Sequence, residues 1–283
     1  MPRLFRFVQL EVPWPLGPPD GRYVVRRHAG EQPDHVLVIG TLGAPRRGLL
    51  RGRRESGAES EPDPAAVATG RGTVIPALAF EDADEAARWL RDADRDEEVT
   101  GALAILNRAL HAHRVATADP YAHEVARSDA LVLRLGYGEG EQVADGRWTD
   151  AVEIPLAPGR RKREAALRPQ ERLAAVLGGR DVTLACETLL LRARADLDAG
   201  REREAALQLR VALEAALAEL AAWRDRGDLG ERLAALADER AAVAEAANAA
   251  LQGGLAPAQA EAVADVIERL EAALRARSAA GFA

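Results

Sequence analysis

The order of apolar and polar positions changes character near Pro155–Lys162. Before this point, short apolar runs are broken by Gly, Pro and Asp. After it, Ala, Leu, Arg and Glu recur at helical spacing. A strand buries alternate residues or a short continuous run, whereas a helix buries a stripe with a 3.6-residue period. The pattern therefore predicts two units: an α+β domain over 1–154 and a helical bundle of about five helices over 163–283, joined by a linker at 155–162.

In the first half, Leu4–Val12 is β-branched and aromatic and stops at Pro13. The turn-rich Pro15–Gly21 leads to a second strand over Arg22–Arg27, giving a hairpin with a long loop. His35–Leu42 is almost entirely apolar, which predicts a central strand covered on both faces. Ala44–Gly72 is Arg-rich and then acidic, with Ser, Gly and Pro, and reads as a long disordered loop. Thr73–Phe80 returns to strand character. Asp82 with Glu85 has capping-box spacing and opens a helix carrying Ala86, Trp89 and Leu90 on one side. A second helix runs from Glu97 or Thr100 to about Ala116, with Leu103, Leu106 and Leu110 facing inward and Val115 a further candidate. Ala130–Leu135 is a strand, Gly136–Gly140 a turn, and Arg147–Ile154 a last strand. This order predicts two helices on one face of a mixed or antiparallel sheet.

In the second half, a helix opens at Pro169 and stops at Gly178-Gly179. Asp181 caps Val182–Ala199, which ends at Gly200. Arg201–Arg226 carries Leu209, Leu213, Ala216 and Leu220 on one stripe, and Leu229–Gln252 reads as one helix. The last helix, from Pro257, has a clean stripe of Val263, Val266, Ile267, Leu270 and Leu274. That stripe is the candidate face for a partner helix.

Of the 283 residues, 48% are hydrophobic, 29% charged and only 4% aromatic, so the cores must be built from Leu, Val, Ile and Ala. No run reaches the roughly 20 apolar residues of a membrane span. Cys186 is the only cysteine, so no internal disulfide can form; this fits a reducing compartment and a cytoplasmic location is expected. Lys162 is the only lysine, so 37 of the 38 basic residues are arginine, a compositional bias that by itself says nothing about nucleic acid.

Charge is segregated. Met1–Arg54 has a formal balance of +6 and Glu55–Glu98 one of −9. The cluster Arg46, Arg47, Arg51, Arg53 and Arg54 is a candidate contact for phosphates or another anion. No aromatic is interleaved to stack bases. His111, His113 and His123 lie close in sequence, but i and i+2 on a helix face different ways and the i, i+4 metal spacing is absent, so no metal site is expected. Gly40–Gly43 lacks the remainder of any phosphate-binding loop and reads as a turn. No G-x-S-x-G elbow accompanies a serine.

Two short resemblances remain. Arg108 and His113 form R-x-x-x-x-H, which is similar to the ribonuclease motif of HEPN-domain nucleases. That family is a helical bundle, whereas these two residues fall in the α+β half. Gly200, Ala205, Leu209 and Ala212 resemble the turn and second helix of one tetratricopeptide repeat; Arg192, Asp196 and Leu217 depart from it, and no second copy follows. The segment therefore reads as a generic α-hairpin.

With no catalytic set and no cofactor motif, the leading expectation is a non-enzymatic protein-interaction or self-assembly scaffold that uses the helical bundle. The alternatives are a nucleic-acid-associated regulator working through Arg46–Arg54, and an enzyme with a site near His111, His113 and His123.

Overall fold

β1 (Leu4–Val12) is the spine of the N-terminal unit, pairing on one side with β4 (Thr69–Pro76) and on the other with β5 (Val132–Glu139). The computed structural model describes residues 3–26, 30–43, 67–156 and 169–279. Its contacts divide the chain into two compact units, Met1–Gly159 and Arg160–Ala283. The expected arginine cluster Arg46–Arg54, the expected loop as far as Ala66, residues 157–162 of the expected linker and the first six residues of the expected bundle lie outside the described residues.

The sheet has six antiparallel strands in the order β2 (Gly21–Val25), β3 (His35–Leu42), β4, β1, β5, β6 (Asp150–Glu153). The fold class expected from the sequence is the one observed: an α+β part followed by a helical part. β1 shows the two-residue period directly. Val8, Leu10 and Val12 face α1 (Ala83–Asp92) and α2 (Arg95–Thr117), while Phe7 and Gln9 face the other way. On that second face a 3-10 turn, Gly140–Asp145, brings Val143 against Phe7 and Ile75, and Trp148 packs 5.7 Å from Phe7. Gln9 is fully buried there and donates to Thr73 Oγ1 at 2.9 Å.

Several boundaries differ from expectation, each for a packing reason. Thr69–Gly72, assigned to the loop by composition, is strand; Gly70 sits under the Trp14 carbonyl, 2.4 Å from where a Cβ would stand. Gly136–Glu139 continues β5 rather than turning. A Cβ on Gly136 would lie 2.5 Å from the Asp150 carbonyl, so the glycine there marks a close backbone approach. Gly40–Leu42 likewise continues β3 up to Gly43, and β3 is second from the edge rather than central. Val115 is 67% exposed because α2 has by then run past the sheet; Val99, Ala102, Leu106 and Leu110 form its buried stripe. Asp82 does cap α1 by accepting from the Glu85 N–H, but the Glu85 carboxylate accepts from the Glu81 N–H rather than from that of Asp82.

The C-terminal unit contains α3 (Pro169–Leu177), α4 (Ala185–Asp198), α5 (Glu202–Glu219), α6 (Leu229–Asp238), α7 (Arg240–Gln252) and α8 (Pro257–Ala279). α4 and α5 form a tight hairpin closed by Gly200 at φ +70°. Ala205, Leu209 and Ala212 are fully buried along it, so small side chains let the two backbones approach. Arg201 pairs with Asp196 across this turn at 2.8 Å. Two expected long helices are shorter. α5 gives way to a 3-10 turn at Leu220–Trp223. The expected helix Leu229–Gln252 breaks at Glu239, where ψ is −5° and the N–H bonds to the Leu236 carbonyl three residues back. No Gly or Pro marks that break.

Candidate functional site

A six-stranded sheet is wider than two helices can cover. α1 lies over β1 and β5, and α2 over β4 and β1. Beyond α2, the edge strand β2 opens onto a groove of about 450 Å³. Its sheet side is Tyr23, Val25 and Ile39; its helix side is Ile105, Ala109, Ala112 and Ala116. These last four recur every three or four residues, so α2 carries a second apolar stripe beside its buried one. The alanines keep the groove open, where larger side chains would fill it.

The turn before β2 closes one end of the groove through Pro18 and Pro19. It is held in place by three bonds. Tyr23 Oη donates to the Pro19 carbonyl at 2.6 Å, and the Asp20 carboxylate accepts from the Thr41 N–H at 3.0 Å and the Thr41 hydroxyl at 2.8 Å. Gly17, at φ +102°, allows the chain to pass beneath the His113 ring. Arg108 donates to the Arg26 carbonyl at 2.7 Å and ties α2 to the end of β2. Among the described residues that line the groove, Arg26 and Arg108 are charged and none is a carboxylate; His113 adds an imidazole. The site is therefore apolar on its floor and cationic at its rim.

The residues singled out from sequence are distributed unevenly around this groove. Arg108 and His113 both line it. His111 faces away, its Nδ1 lying 3.7 Å from Glu124, and His123 is exposed. Among the described residues, no group of three or more His, Cys, Asp or Glu is placed to hold a metal. Val263, Val266, Ile267, Leu270 and Leu274 point into the core of their own bundle, each at most 8% exposed. They pack against the chain's own helices. The groove itself was not read from the sequence, where Ala109, Ala112 and Ala116 look like ordinary helix formers.

The C-terminal unit holds a different concentration of polar chemistry. Arg277 of α8 is 3% exposed and lies 2.6 Å from Asp181 and 3.6 Å from Glu187. Arg172 of α3 reaches the same two carboxylates, at 3.3 and 2.5 Å. The Arg277 guanidinium also sits 4.6 Å from the Trp223 ring centroid. Two cations and two anions balance, as buried charges require. Burial alone would push the Asp181 carboxyl up; the Val182 N–H, Arg277 and Arg172 outweigh it and hold the group below its ordinary value. Asp181 is therefore occupied and does not cap α4. That end is capped instead by Glu187, which accepts from the Leu184 N–H, and by Glu219 of α5, which accepts from the Ala185 and Cys186 N–H groups. Cys186 lies fully buried beside Glu219; burial first, then the neighbouring carboxylate, pushes its thiol up to about 12. A thiol so placed is no nucleophile.

No family model, curated protein or solved structure matches the chain. No helix among the described residues is long and apolar enough to cross a membrane.

Proposed function

We propose that this protein acts by binding protein, and that its N-terminal unit accepts an extended segment along the outer edge of β2. The observation that carries this reading is the conjunction of a sheet edge with an apolar groove beside it. An edge strand presents a row of main-chain donors and acceptors that another extended chain can satisfy. Every second side chain of that added strand points towards the α2 side of the sheet, where Tyr23, Ile105, Ala109 and Ala112 offer an apolar surface. The other chemistry available at the rim is cationic, through Arg26 and Arg108. A segment that presents apolar side chains to the α2 side and carries a net negative charge fits both features.

The reading keeps the scaffold expectation but moves its site from the bundle to the sheet edge. The test is a titration of the full-length chain with the capped peptide Ac-Val-Asp-Val-Asp-Val-Asp-NH2, followed by backbone amide resonances. Shifts confined to β2, Asp20 and the Ile105–Ala116 stripe are expected, and added salt weakens them. Shifts centred elsewhere, or none at saturating peptide, overturn it.

A further inference from the structure

We infer that the segment received at the β2 edge is selected by one aromatic side chain, seated over Gly21 beside the ring of Tyr23. The inference rests on the reading of the β2 edge as a docking site and adds what that site selects. Its first support is a row of residues across the sheet. Gly21, Ile39, Gly72 and Leu10 are successive cross-strand partners on β2, β3, β4 and β1, and the row faces α2. Small and large positions alternate along it. At Gly72 the space of the missing side chain is filled from above. A Cβ there would stand 3.4 Å from the Leu106 methyl groups of α2 and 3.5 Å from a Leu16 methyl group. Gly21 lies two strands further out, beyond α2. Among the described residues nothing fills its space: the nearest atom to such a Cβ is the Pro19 carbonyl oxygen, 3.9 Å away. Gly21 is not one of the glycines with positive φ, so its backbone does not require glycine. A glycine inside a strand without that need marks a place where another group approaches closely.

The second support is the wall beside this space. Tyr23 is two residues further along β2, on the same face, and the bond from its hydroxyl to the Pro19 carbonyl pins its ring along the strand. The ring borders the space without entering it, since no Tyr23 atom comes within 4 Å of the Gly21 Cβ position. His113 meets Gly17, which places its neighbours Ala112 and Ala116 at the proline end of the groove. A flat side chain from an added strand therefore has Tyr23 to pack on, Ile39 beneath it and small alanines above. Aromatic pairs stabilise beyond the area they bury. An aromatic residue beside an edge glycine also supplies the cross-strand packing that the glycine lacks.

The third support is that the two ends of the groove differ in charge. Arg108 joins the end of β2 at the Arg26 carbonyl, whereas Asp20 directly precedes Gly21. The Asp20 carboxylate is engaged by Thr41 but keeps its charge, and so disfavours an acidic side chain over Gly21. An uncharged aromatic at the Gly21 position, with the acidic residues of the segment towards the Arg108 end, suits both ends.

The test compares the Val/Asp peptide with Ac-Val-Asp-Trp-Asp-Val-Asp-NH2, each titrated into the full-length chain and followed by amide and methyl resonances. The tryptophan peptide is expected to bind about tenfold tighter, with ring-current shifts at the Gly21 amide and at the Ile39 and Ala112 methyl groups. Gly21→Val fills the space from within β2, and valine suits a strand. In that variant the two peptides should bind within about twofold of each other, while the Val/Asp peptide stays within about threefold of its wild-type affinity. Gly21→Ala adds the Cβ alone and gives a smaller loss of preference in the same direction. Thermal melts check that both variants are folded, and the alanine variant decides the matter if the valine one melts early. Equal affinity of the wild-type chain for the two peptides, a preference that survives both substitutions, or ring-current shifts centred on Val25 and Arg26 overturns the inference. If the Val/Asp peptide still shifts the β2 and α2 amides in those cases, the docking reading stands. If neither peptide shifts them, both fall.

Discussion

Arg277 and Asp181, 96 positions apart in sequence, meet at 2.6 Å with side chains only 3% and 6% exposed. The pair joins the last helix of the chain to the loop that precedes α4. Glu187 and Arg172 complete the group, so α3, α4 and α8 converge on one buried charge centre. Such a centre contributes little net stability relative to apolar packing, but breaking it leaves a charge buried without its partner.

Replacing Arg277 alone should therefore be severe. Arg277→Met keeps most of the volume beside Trp223 but leaves the buried carboxylates of Asp181 and Glu187 to share Arg172 alone, and is expected to cost about 3–5 kcal/mol. Equilibrium urea unfolding of the full chain, with amide exchange followed in α4 and α8, measures it. A cost under about 1 kcal/mol would show that solvent reaches the carboxylates and that the pair is not buried in solution.

Acid should unlock the same region. The Asp181 and Glu219 carboxyls are both held below their ordinary values of 3.8 and 4.5, the latter by N–H donors of α4 and the Cys186 thiol that outweigh its own desolvation. The unfolded chain then binds protons more readily than the folded one. Their stabilising contribution is complete above those ordinary values and is lost as pH falls through the lowered folded ones. Amide protection in α4 is expected to hold steady at neutral pH and to drop only below about pH 4. Loss of protection near pH 6 would point to another group.

The thiol of Cys186 offers a separate reading of the bundle. With its ionisation pushed up to about 12 and no exposed surface, it should resist alkylation in mildly alkaline buffer and react only when urea opens the C-terminal unit. Rapid labelling of the native chain by iodoacetamide would mean that α4 and α5 separate readily near Glu219.

The pattern of apolar residues was enough to read the architecture. Strand and helix order follow from periodicity. What escaped the sequence are features set by tertiary contact. Gly136 and Gly40 look like turn residues, yet one lies in a strand because β6 presses on it and the other because β3 continues in register with β4. The break at Glu239 carries no helix-breaking residue. The cap of α4 comes from Glu219, in another helix, and so has no local signal. The groove is legible only once β2 is known to be an edge. Ala109 and Ala112 otherwise read as ordinary helix formers.

Gly136 gives a direct check on the β5–β6 pairing. Gly136→Val would drive a branched side chain against the Asp150 carbonyl, 2.5 Å from the position of its Cβ, so β6 must move away. A loss of about 1–3 kcal/mol is expected, with the greatest loss of amide protection at Ala151 and Val152. Full stability would mean that the two strands are not in close register there.

Ala112 separates binding from folding. It is exposed on α2 and lines the groove, and its neighbours along the stripe, Ala109 and Ala116, are also alanine. A tryptophan there projects from an exposed helix position into the open groove, and the change of helix propensity is only a few tenths of a kcal/mol. Ala112→Trp is therefore expected to leave the unfolding midpoint almost unchanged while filling the space an added strand needs for its side chains. Affinity for the Val/Asp peptide should fall at least about tenfold, equivalent to about 1.4 kcal/mol. Arg108→Gln acts differently: it leaves the apolar floor intact and should lower affinity chiefly at low salt, because a rim charge contributes through a screened field. If Ala112→Trp binds as well as the wild type, the added segment does not use the α2 side of the sheet, and the groove is a gap between elements rather than a site.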